Sequence, residues 1–457
     1  MFEFEGRKVI VLGLGDTGLS MARWLCARGA RVTVADTRAQ PPHAALLARE
    51  RPDVAVERGA FSEATLKRAD LIAISPGVDR RTPAVAAAIR HGTPVAGDVE
   101  LFAQALTRMT RRPRVLAVTG TNGKSTVTRM AGDICIAAGR RTMVAGNIGT
   151  PVLDALASHE GAGIDTEVCV LELSSFQLES TANLNADAAA MLNLSEDHLD
   201  RYDGIDDYAR AKQRVFLGGG AQVINRADER SMAMLEAGRT VHRFGIDAPA
   251  GAREWGIGAD AGEAALVRDR AALLPLRALP VAGLHNAANA LAAAALCHVI
   301  GIDDASIARA LRSFRGLPHR VEHVGAIDGV DYFDDSKGTN VGSTVAALGG
   351  FTRPVVLIAG GEGKGQNFAP LWGPVSRRAR AVVLIGRDAG LIRRSLEGCG
   401  VPCVEAVDMD DAVRRARSAA QRGDAVLLSP ACASFDMFRN YNHRGEVFAG
   451  AVRRLAS

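Results

Sequence analysis

The sequence predicts an α/β fold built as three domains, and three observations lead there. Short β-branched runs alternate with helical stretches along the whole chain, the pattern of parallel sheets with helical crossovers. Turns rich in Gly, Lys, Ser and Thr follow several of those runs, where open parallel sheets place their ligands. The chain has 457 residues, and at about 100–200 residues per domain it needs more than one core. The expected divisions are residues 1–106, 107–314 and 315–457.

In the first segment, Lys8–Leu12 (KVIVL) reads as a strand, GLGDTG as a turn, and the next residues through Trp24 and Leu25 as a helix. Arg31–Ala35 is the next strand, ending at Asp36, and Leu71–Ser75 another, broken by Pro76–Gly77. Gly13, Gly15 and Gly18 satisfy GxGxxG, with Asp36 about twenty residues on, so the segment reads as Rossmann-like. A diphosphate near helix amides is all the physics asks. An NAD-linked oxidoreductase, a UDP-sugar site and a purely structural glycine turn therefore all stay open.

The second segment holds the most informative stretch, RVLAVTGTNGKSTVT at 114–128. A buried strand delivers the chain to Thr119, Gly120 and Gly123 let the backbone turn its amides toward an anion, and Lys124 opens a helix whose dipole favours negative charge. Ser125 or Thr126 sets a hydroxyl where a phosphate-bound Mg²⁺ needs an oxygen. The reading is an ATP site in a P-loop-ATPase-like domain. The match is not strict, because only Thr121 and Asn122 separate Gly120 from Gly123, and a glycine turn that binds nothing is the alternative.

Val168–Leu173 is a buried strand that carries one carboxylate, Glu172. A charge there is costly unless paired or metal-bound, so Glu172 bridges Mg²⁺ or caps the SSFQ turn. Ala188–Leu194 is followed by SEDHLDRY, where Asp197, His198 and Asp200 share one loop and His198 is a metal ligand or an ordinary loop histidine. Lys212 lies in a helical stretch, Ile205–Phe216, and a lone helical lysine is expected to face solvent. Residues 284–298 form an Ala-rich helix with His285, Asn286 and Asn289 in its first turns, suited to adenine, phosphate or helix capping. Residues 247–264 read as a loop or small β excursion.

The third segment restarts the alternation, with strands near 330–334, 355–360, 381–386 and 424–428. Their ends carry DDSKGTN (334–340), GGEGKG (360–365) and SPACASFD (429–436), and three such loops converging would suit a small acidic substrate. LPHR at 317–320 places a hinge arginine just past the junction.

Composition excludes other classes. The 55 basic residues nearly balance 51 acidic ones, for a net charge of +4, which is not the footprint of a nucleic-acid binder. Arg111–Arg112 and Arg377–Arg378 read as solvated faces. Seven scattered cysteines, without metal-ligand spacing, suit a reducing compartment. MFEFEGRK lacks an apolar signal core, and no uncharged apolar run reaches about 18 residues. The expectation is a cytoplasmic protein, monomeric, with small-molecule substrates, no nucleic acid and no membrane span.

GTNGKST, LELSSFQLE, NLSEDHLDRY, GLHNAANALAA, LPHR, DDSKGTN and LLSPACAS together resemble the Mur ligase family, in family order, and GLGDTG, ADTR, SPG and GDVELF extend the resemblance over the whole chain. The resemblance implies ATP-dependent amide formation. A substrate carboxylate attacks the γ-phosphate, and an amino acid displaces phosphate from the acyl phosphate. GGEGKG with CASFD favours D-glutamate as that amino acid, and the resemblance over the whole chain implies UDP-N-acetylmuramoyl-L-alanine as the substrate that carries the carboxylate. A sibling ligase adding another amino acid and a non-ligase ATPase are the alternatives. Closure of the third domain over the second would shield the acyl phosphate from water.

Carried over residue by residue, the resemblance implies that Gly120, Thr121, Asn122, Gly123, Lys124, Ser125, Thr126, Asn286, Asn289, Arg320 and Asp335 contact ATP. Ser125 and Glu172 hold one Mg²⁺, and His198 with a carbamylated Lys212 holds a second. Lys337 and Thr339 line the reaction region, and Lys364, Thr339, Ser434 and Tyr441 receive D-glutamate. Gly15, Asp16, Thr17, Thr37 and Arg38 take the UDP end, with Ser75, Gly77, Asn147 and Ser174 further along the substrate. The chain departs from the family pattern at Asp16, where an apolar residue is expected, at Tyr441, where Phe is common, and at Gly338, where Ala is common and Gly is expected to loosen the loop.

Overall fold

A computed structural model describes residues 3–281 and 283–456. The chain divides into two compact units. One runs to Asn193 and adds Asp207–Pro275 and Ala290–Leu311; the other takes Leu194–Asp206, Leu276–Asn289 and the chain from Arg312. Three α/β sheets are present, two in the first unit and one in the second.

The N-terminal sheet holds β1 (Lys8–Leu12), β2 (Arg31–Asp36), β3 (Ala55–Arg58), β4 (Leu71–Ile74) and β5 (Val95–Ala96). All pairings are parallel, in the order β3-β2-β1-β4-β5. Successive strands move one way from β1 and then resume on its other side at β4. That reversal opens a crevice beyond the carboxyl ends of β1 and β4, where GLGDTG and Ser75 lie.

The middle sheet holds β6 (Arg114–Thr119), β7 (Thr142–Gly146), β8 (Val168–Glu172), β9 (Ala188–Met191), β10 (Ala221–Asn225) and β11 (Val241–Phe244). It continues as β12 (Glu254–Asp260), β13 (Glu263–Arg268) and β14 (Ala271–Pro275), in the order β14-β13-β12-β11-β10-β9-β6-β8-β7. The strands from β6 to β12 pair in parallel, and β12, β13 and β14 are antiparallel. Strand β8 is buried throughout and β6 at all but Arg114, as expected of a sheet covered on both faces. The β6 end lies between β8 and β9, so the switch point of this sheet falls on the glycine loop. Of the two expectations for 247–264, a loop or a small β excursion, the β one holds and is larger than expected: from Glu254 the segment starts a three-stranded extension. The glycines and alanines of EWGIGAD hid it, and Ala261 and Gly262, both at positive φ, make its two-residue hairpin turn.

Within the first unit, GDVELF joins the two sheets. Asp98 Oδ2 accepts from Gln177 Nε2 at 3.0 Å. Glu100 Oε2 accepts from the amides of Ala182 and Asn183 at 2.7 and 3.0 Å. Asp98 is buried and its Oδ1 has no hydrogen-bond partner; burial pushes its carboxyl up to about 6.

The second unit carries β15 (Glu322–Ile327), β16 (Val330–Asp334), β17 (Val355–Gly360), β18 (Ala379–Ile385), β19 (Cys403–Glu405) and β20 (Ala425–Leu428), in the order β15-β16-β20-β17-β18-β19. Only β15 is antiparallel to its neighbour. Two apolar cores, one around Leu357 and Leu427 and one around Ile358 and Phe448, cover its faces. Among the described residues no helix is long and apolar enough to cross a membrane.

Candidate active site

The loop after β6 is held open by its own backbone. Gly120 and Gly123 take φ of 152° and 85°, and Gly123 caps the helix Lys124–Ala137; a side chain at Gly123 would be strained. Asn193, just past β9, grips the loop from the side. Its carbonyl accepts from Thr121 N at 2.9 Å, its Oδ1 from Asn122 N at 2.8 Å, and its Nδ2 donates to Asn122 O at 3.1 Å. Nothing in the local sequence marked Asn193 for that task.

Two ammonium groups meet on this loop. Lys124 Nζ donates to Gly120 O at 3.0 Å and Thr121 O at 2.9 Å. Lys212 Nζ donates to the same Gly120 O at 2.7 Å and lies 3.4 Å from Thr119 Oγ1, with the Tyr208 ring 4.7 Å away. Lys212 is 1% exposed, which corrects the expectation of a solvent-facing lysine. The helix ends at Gln213, with a 3₁₀ turn to Phe216, and buries Tyr208, Ala211 and Lys212, spaced i, i+3, i+4. Ser125 and Thr126 are buried in the first helical turn.

Glu172 ends β8 and is 2% exposed. Its Oε1 accepts from Asn147 Nδ2 at 2.7 Å, whereas its Oε2 has no hydrogen-bond partner. A buried carboxylate oxygen left unmet is what a divalent cation would satisfy, so the donor set fits Mg²⁺. The alternative role, capping the following turn, belongs to Ser174: its hydroxyl accepts from Gln177 N in a capping box.

In the N-terminal crevice, Gly15 caps the helix Asp16–Cys26, and Ser75 Oγ donates to Gly13 O at 3.1 Å. A Cβ at Gly18 would stand 1.8 Å from Gly13 O, so only glycine fits there. Asp36 Oδ2 accepts from Leu14 N at 2.7 Å, and both its oxygens accept from Arg38. The Arg38 guanidinium holds the Asp36 carboxyl down at about 2. Engaged by its own chain, Asp36 is poorly placed to take the ribose hydroxyl that a nicotinamide dinucleotide would offer. Asp16 is 83% exposed on its side chain and meets His43 Nε2 at 2.7 Å. Thr37, Arg38, Gly77 and Asn147 are exposed, and Thr17 is half-buried.

In the second unit the three expected loops converge. Ser429 Oγ donates to Asp335 Oδ2 at 2.7 Å, and Glu362 pairs with Ala433 through both backbone hydrogen bonds. Burial pushes the Asp335 carboxyl up to about 7, against the pull of Ser429 and Arg320. A Cβ on Gly338 would meet Asp335 Oδ2 at 2.6 Å and Ser429 Oγ at 2.8 Å. The glycine therefore fits a tight place and does not loosen the loop. Lys337 Nζ lies 3.8 Å from the Tyr441 ring centroid. Lys364 is half-buried at positive φ, and Ser434 is buried. Asn289 Nδ2 donates to Asn286 Oδ1 at 3.3 Å. His319 Nδ1 meets Asp334 Oδ2 at 2.7 Å, and that hydrogen bond raises the histidine's pKa. Asp197 is buried and accepts from Asn340 Nδ2 at 3.2 Å, and His198 follows it at positive φ. The division of the chain leaves His198 in the second unit and Lys212 in the first.

Comparison with known proteins gives three matches in chain order. Residues 7–97 match the Mur ligase MurD-like N-terminal domain, 118–297 the Mur ligase middle domain, and 319–432 the Mur ligase glutamate ligase domain. Over 455 residues the chain is 55% identical to a UDP-N-acetylmuramoylalanine–D-glutamate ligase of Methylobacillus flagellatus, covering 100% of this chain and 98% of the relative. A protein of the same name from Aromatoleum aromaticum is 53% identical over 460 residues, covering 100% and 99%. Among solved structures, the UDP-N-acetylmuramate–alanine ligase of Thermotoga maritima superposes with a TM-score of 0.61 at 19% identity, covering 98% of this chain and 100% of that one. A folylpolyglutamate synthase of Mycobacterium tuberculosis, solved with ADP and AMPPCP, gives 0.56 at 17%, covering 79% and 95%. These two structural likenesses speak for the fold.

Proposed function

The chain belongs to the Mur ligase family, and from that premise we propose that it joins D-glutamate to UDP-N-acetylmuramoyl-L-alanine, using ATP and passing through an acyl phosphate. The observation that carries the reading is likeness along the full length to relatives named for that reaction. On this reading residues 1–106 hold the UDP end, 107–314 hold ATP, and 315–457 receive the amino acid.

The assigned roles follow the chemistry of each side chain. The loop amides from Gly120 to Thr126 and the Lys124 ammonium would take the β- and γ-phosphates, releasing Lys124 from the carbonyls it holds. Asn286, Asn289, Arg320 and Asp335 are assigned to ATP. Ser125 and Glu172 would hold Mg²⁺, and His198 with Lys212 as its carbamate would hold a second; bound metal would draw charge from the transferring phosphoryl group. The partnerless Glu172 Oε2 supports the first site. For the second, Lys212 is buried beside the glycine loop, 2.7 Å from Gly120 O. Gly15, Asp16, Thr17, Thr37, Arg38, Ser75, Gly77, Asn147 and Ser174 are assigned to the UDP substrate. Lys337 would stabilise the acyl phosphate, and Thr339, Lys364, Ser434 and Tyr441 would hold the amino acid's carboxylates.

We take the protein to act as a cytoplasmic monomer, a reading that its seven free cysteines suit. The test of function is phosphate release from ATP with the UDP-muramoyl-alanine acceptor and a panel of amino acids. D-glutamate alone should support turnover, with a new amide seen by mass spectrometry. Equal turnover with L-alanine or a diamino acid would point to a sibling ligase, and phosphate release without an amide would refute ligation.

A further inference from the structure

We propose that Arg444 is the positioning residue of the amino-acid half-site: a buried cation that fixes three loops around the incoming carboxylates and adds its charge to theirs. This rests on the reading that Thr339, Lys364, Ser434 and Tyr441 receive D-glutamate and that Lys337 lines the reaction region beside them.

Arg444 lies in the helix Tyr441–Ala456 and is 0% exposed. Yet its hydrogen bonds go to neutral acceptors. Nε donates to Ser336 Oγ at 3.0 Å and Nη2 to Ser336 O at 2.7 Å. Nη1 donates to Cys432 O at 3.0 Å and Ala433 O at 3.3 Å. One guanidinium thus ties the residue before Lys337, the residue before Ser434, and the helix that begins at Tyr441. A Cβ on Gly361 would stand 2.3 Å from Ala433 O and 3.4 Å from Arg444 Nη1, so GGEGKG also approaches this knot on a bare backbone.

The connection runs on to the reacting side. Ser336 Oγ donates to Tyr441 O at 2.7 Å, and the Tyr441 ring carries the Lys337 ammonium. Losing the Arg444 fork would free Ser336 and, through it, the spacing of Lys337 from Tyr441. Burial lowers the Arg444 pKa to about 10, so the group stays cationic at neutral pH. The carboxylates of Asp334, Asp335 and Asp436 act on this cation through space but none is hydrogen-bonded to it; its donors go to carbonyls and the Ser336 hydroxyl, and it lies next to where a dicarboxylate would dock. A hydrophobic residue could fill the same volume at lower desolvation cost, but it would neither tie these loops together nor add positive charge for an arriving anion.

The experiment compares wild type, R444K, R444Q and S336A in the full chain by D-glutamate-dependent phosphate release and by melting temperature. R444Q should raise the KM for D-glutamate about tenfold or more, the scale of a lost charge-assisted contact. R444K, which retains the charge, should recover part of that loss, and S336A should give a smaller rise. The KM values for ATP and the UDP substrate should stay within about twofold, a split that a purely structural role would not produce. Should R444Q fail to fold, R444K and S336A carry the test. Equal rises in all three KM values, or an unchanged D-glutamate KM in R444K and S336A, overturn the proposal. Wild type with no D-glutamate-dependent turnover would instead overturn the functional reading, and this inference with it.

Discussion

Glu172→Gln should make the free protein more stable and the enzyme nearly inactive. The carboxylate is buried, Asn147 satisfies one oxygen and the other has no partner. An unmet buried polar group costs about 1–3 kcal/mol, and a charged one more. Glutamine keeps the volume and the Asn147 hydrogen bond while removing the charge. The gain is the difference between a charged and a neutral unmet group, about 1–2 kcal/mol. In a unit this size that raises the melting temperature by roughly 2–4 °C per kcal/mol. Ligand reverses the order. At 100 times its Kd, Mg²⁺-ATP adds about 2.7 kcal/mol to wild type, and the variant should gain far less. Turnover should fall about 100-fold or more, since the group is asked to anchor the ion at the transferring phosphate. Thermal melts with EDTA and with Mg²⁺-ATP, beside phosphate release, read all three quantities. A variant that melts below wild type without ligand, or keeps the wild-type shift with Mg²⁺-ATP, refutes the assignment.

Lys124→Ala should abolish phosphate release with little change in melting temperature, because in the free loop that ammonium donates to the Gly120 and Thr121 carbonyls; turnover within about tenfold of wild type would remove it from the phosphate site. Lys212→Ala should lose activity and regain part of it with short carboxylic acids standing in for the carbamate, and an undiminished variant would exclude the modification. Asp98→Asn tests the buried carboxyl at the joint of the two sheets. Its folded pKa of about 6 exceeds the ordinary 3.8 because of burial, so between those values the folded state binds the proton more tightly. Wild type therefore loses stability as pH rises from about 4 to 6, by about 3 kcal/mol in all. The variant should melt higher than wild type at pH 8 and converge with it near pH 4; a lower melt at pH 8 would show that the charge itself is stabilising.

What was legible in the sequence was chiefly what the backbone dictates. A β-branched run into Gly120 and Gly123 and then a helix specifies strand, turn and helix whatever surrounds it, and the structure keeps it. The glycine turn at Gly13–Gly18 is of the same kind. The side chains whose roles depend on distant neighbours were not legible. Lys212 has no local mark; its burial follows from where Gly120 O and the Tyr208 ring lie in space. Asn193 and Arg444 went unnoticed for that reason, since each earns its place by reaching backbone atoms of other loops. The strands β12 to β14 were hidden differently: alanine and glycine carry weak strand propensity, and the hairpin turn at Ala261–Gly262 was the one local signal.

The two lysines at Gly120 suggest why this loop is ready for an anion before one arrives. Both ammonium groups share the Gly120 carbonyl oxygen, and Lys124 also donates to Thr121 O. On the proposed reading, a triphosphate reaching Lys124 would replace these carbonyl acceptors with charged phosphate oxygens and leave Gly120 O to Lys212. Asn193 and the two glycines fix the loop backbone, and donors arranged in advance are what electrostatic stabilisation of a transferring phosphoryl group requires. Converting Lys212 to a carbamate would go further, replacing one of the two competing cations with an acceptor and withdrawing it from Gly120 O, so that the site's remaining positive charge would be Lys124 and the bound metal.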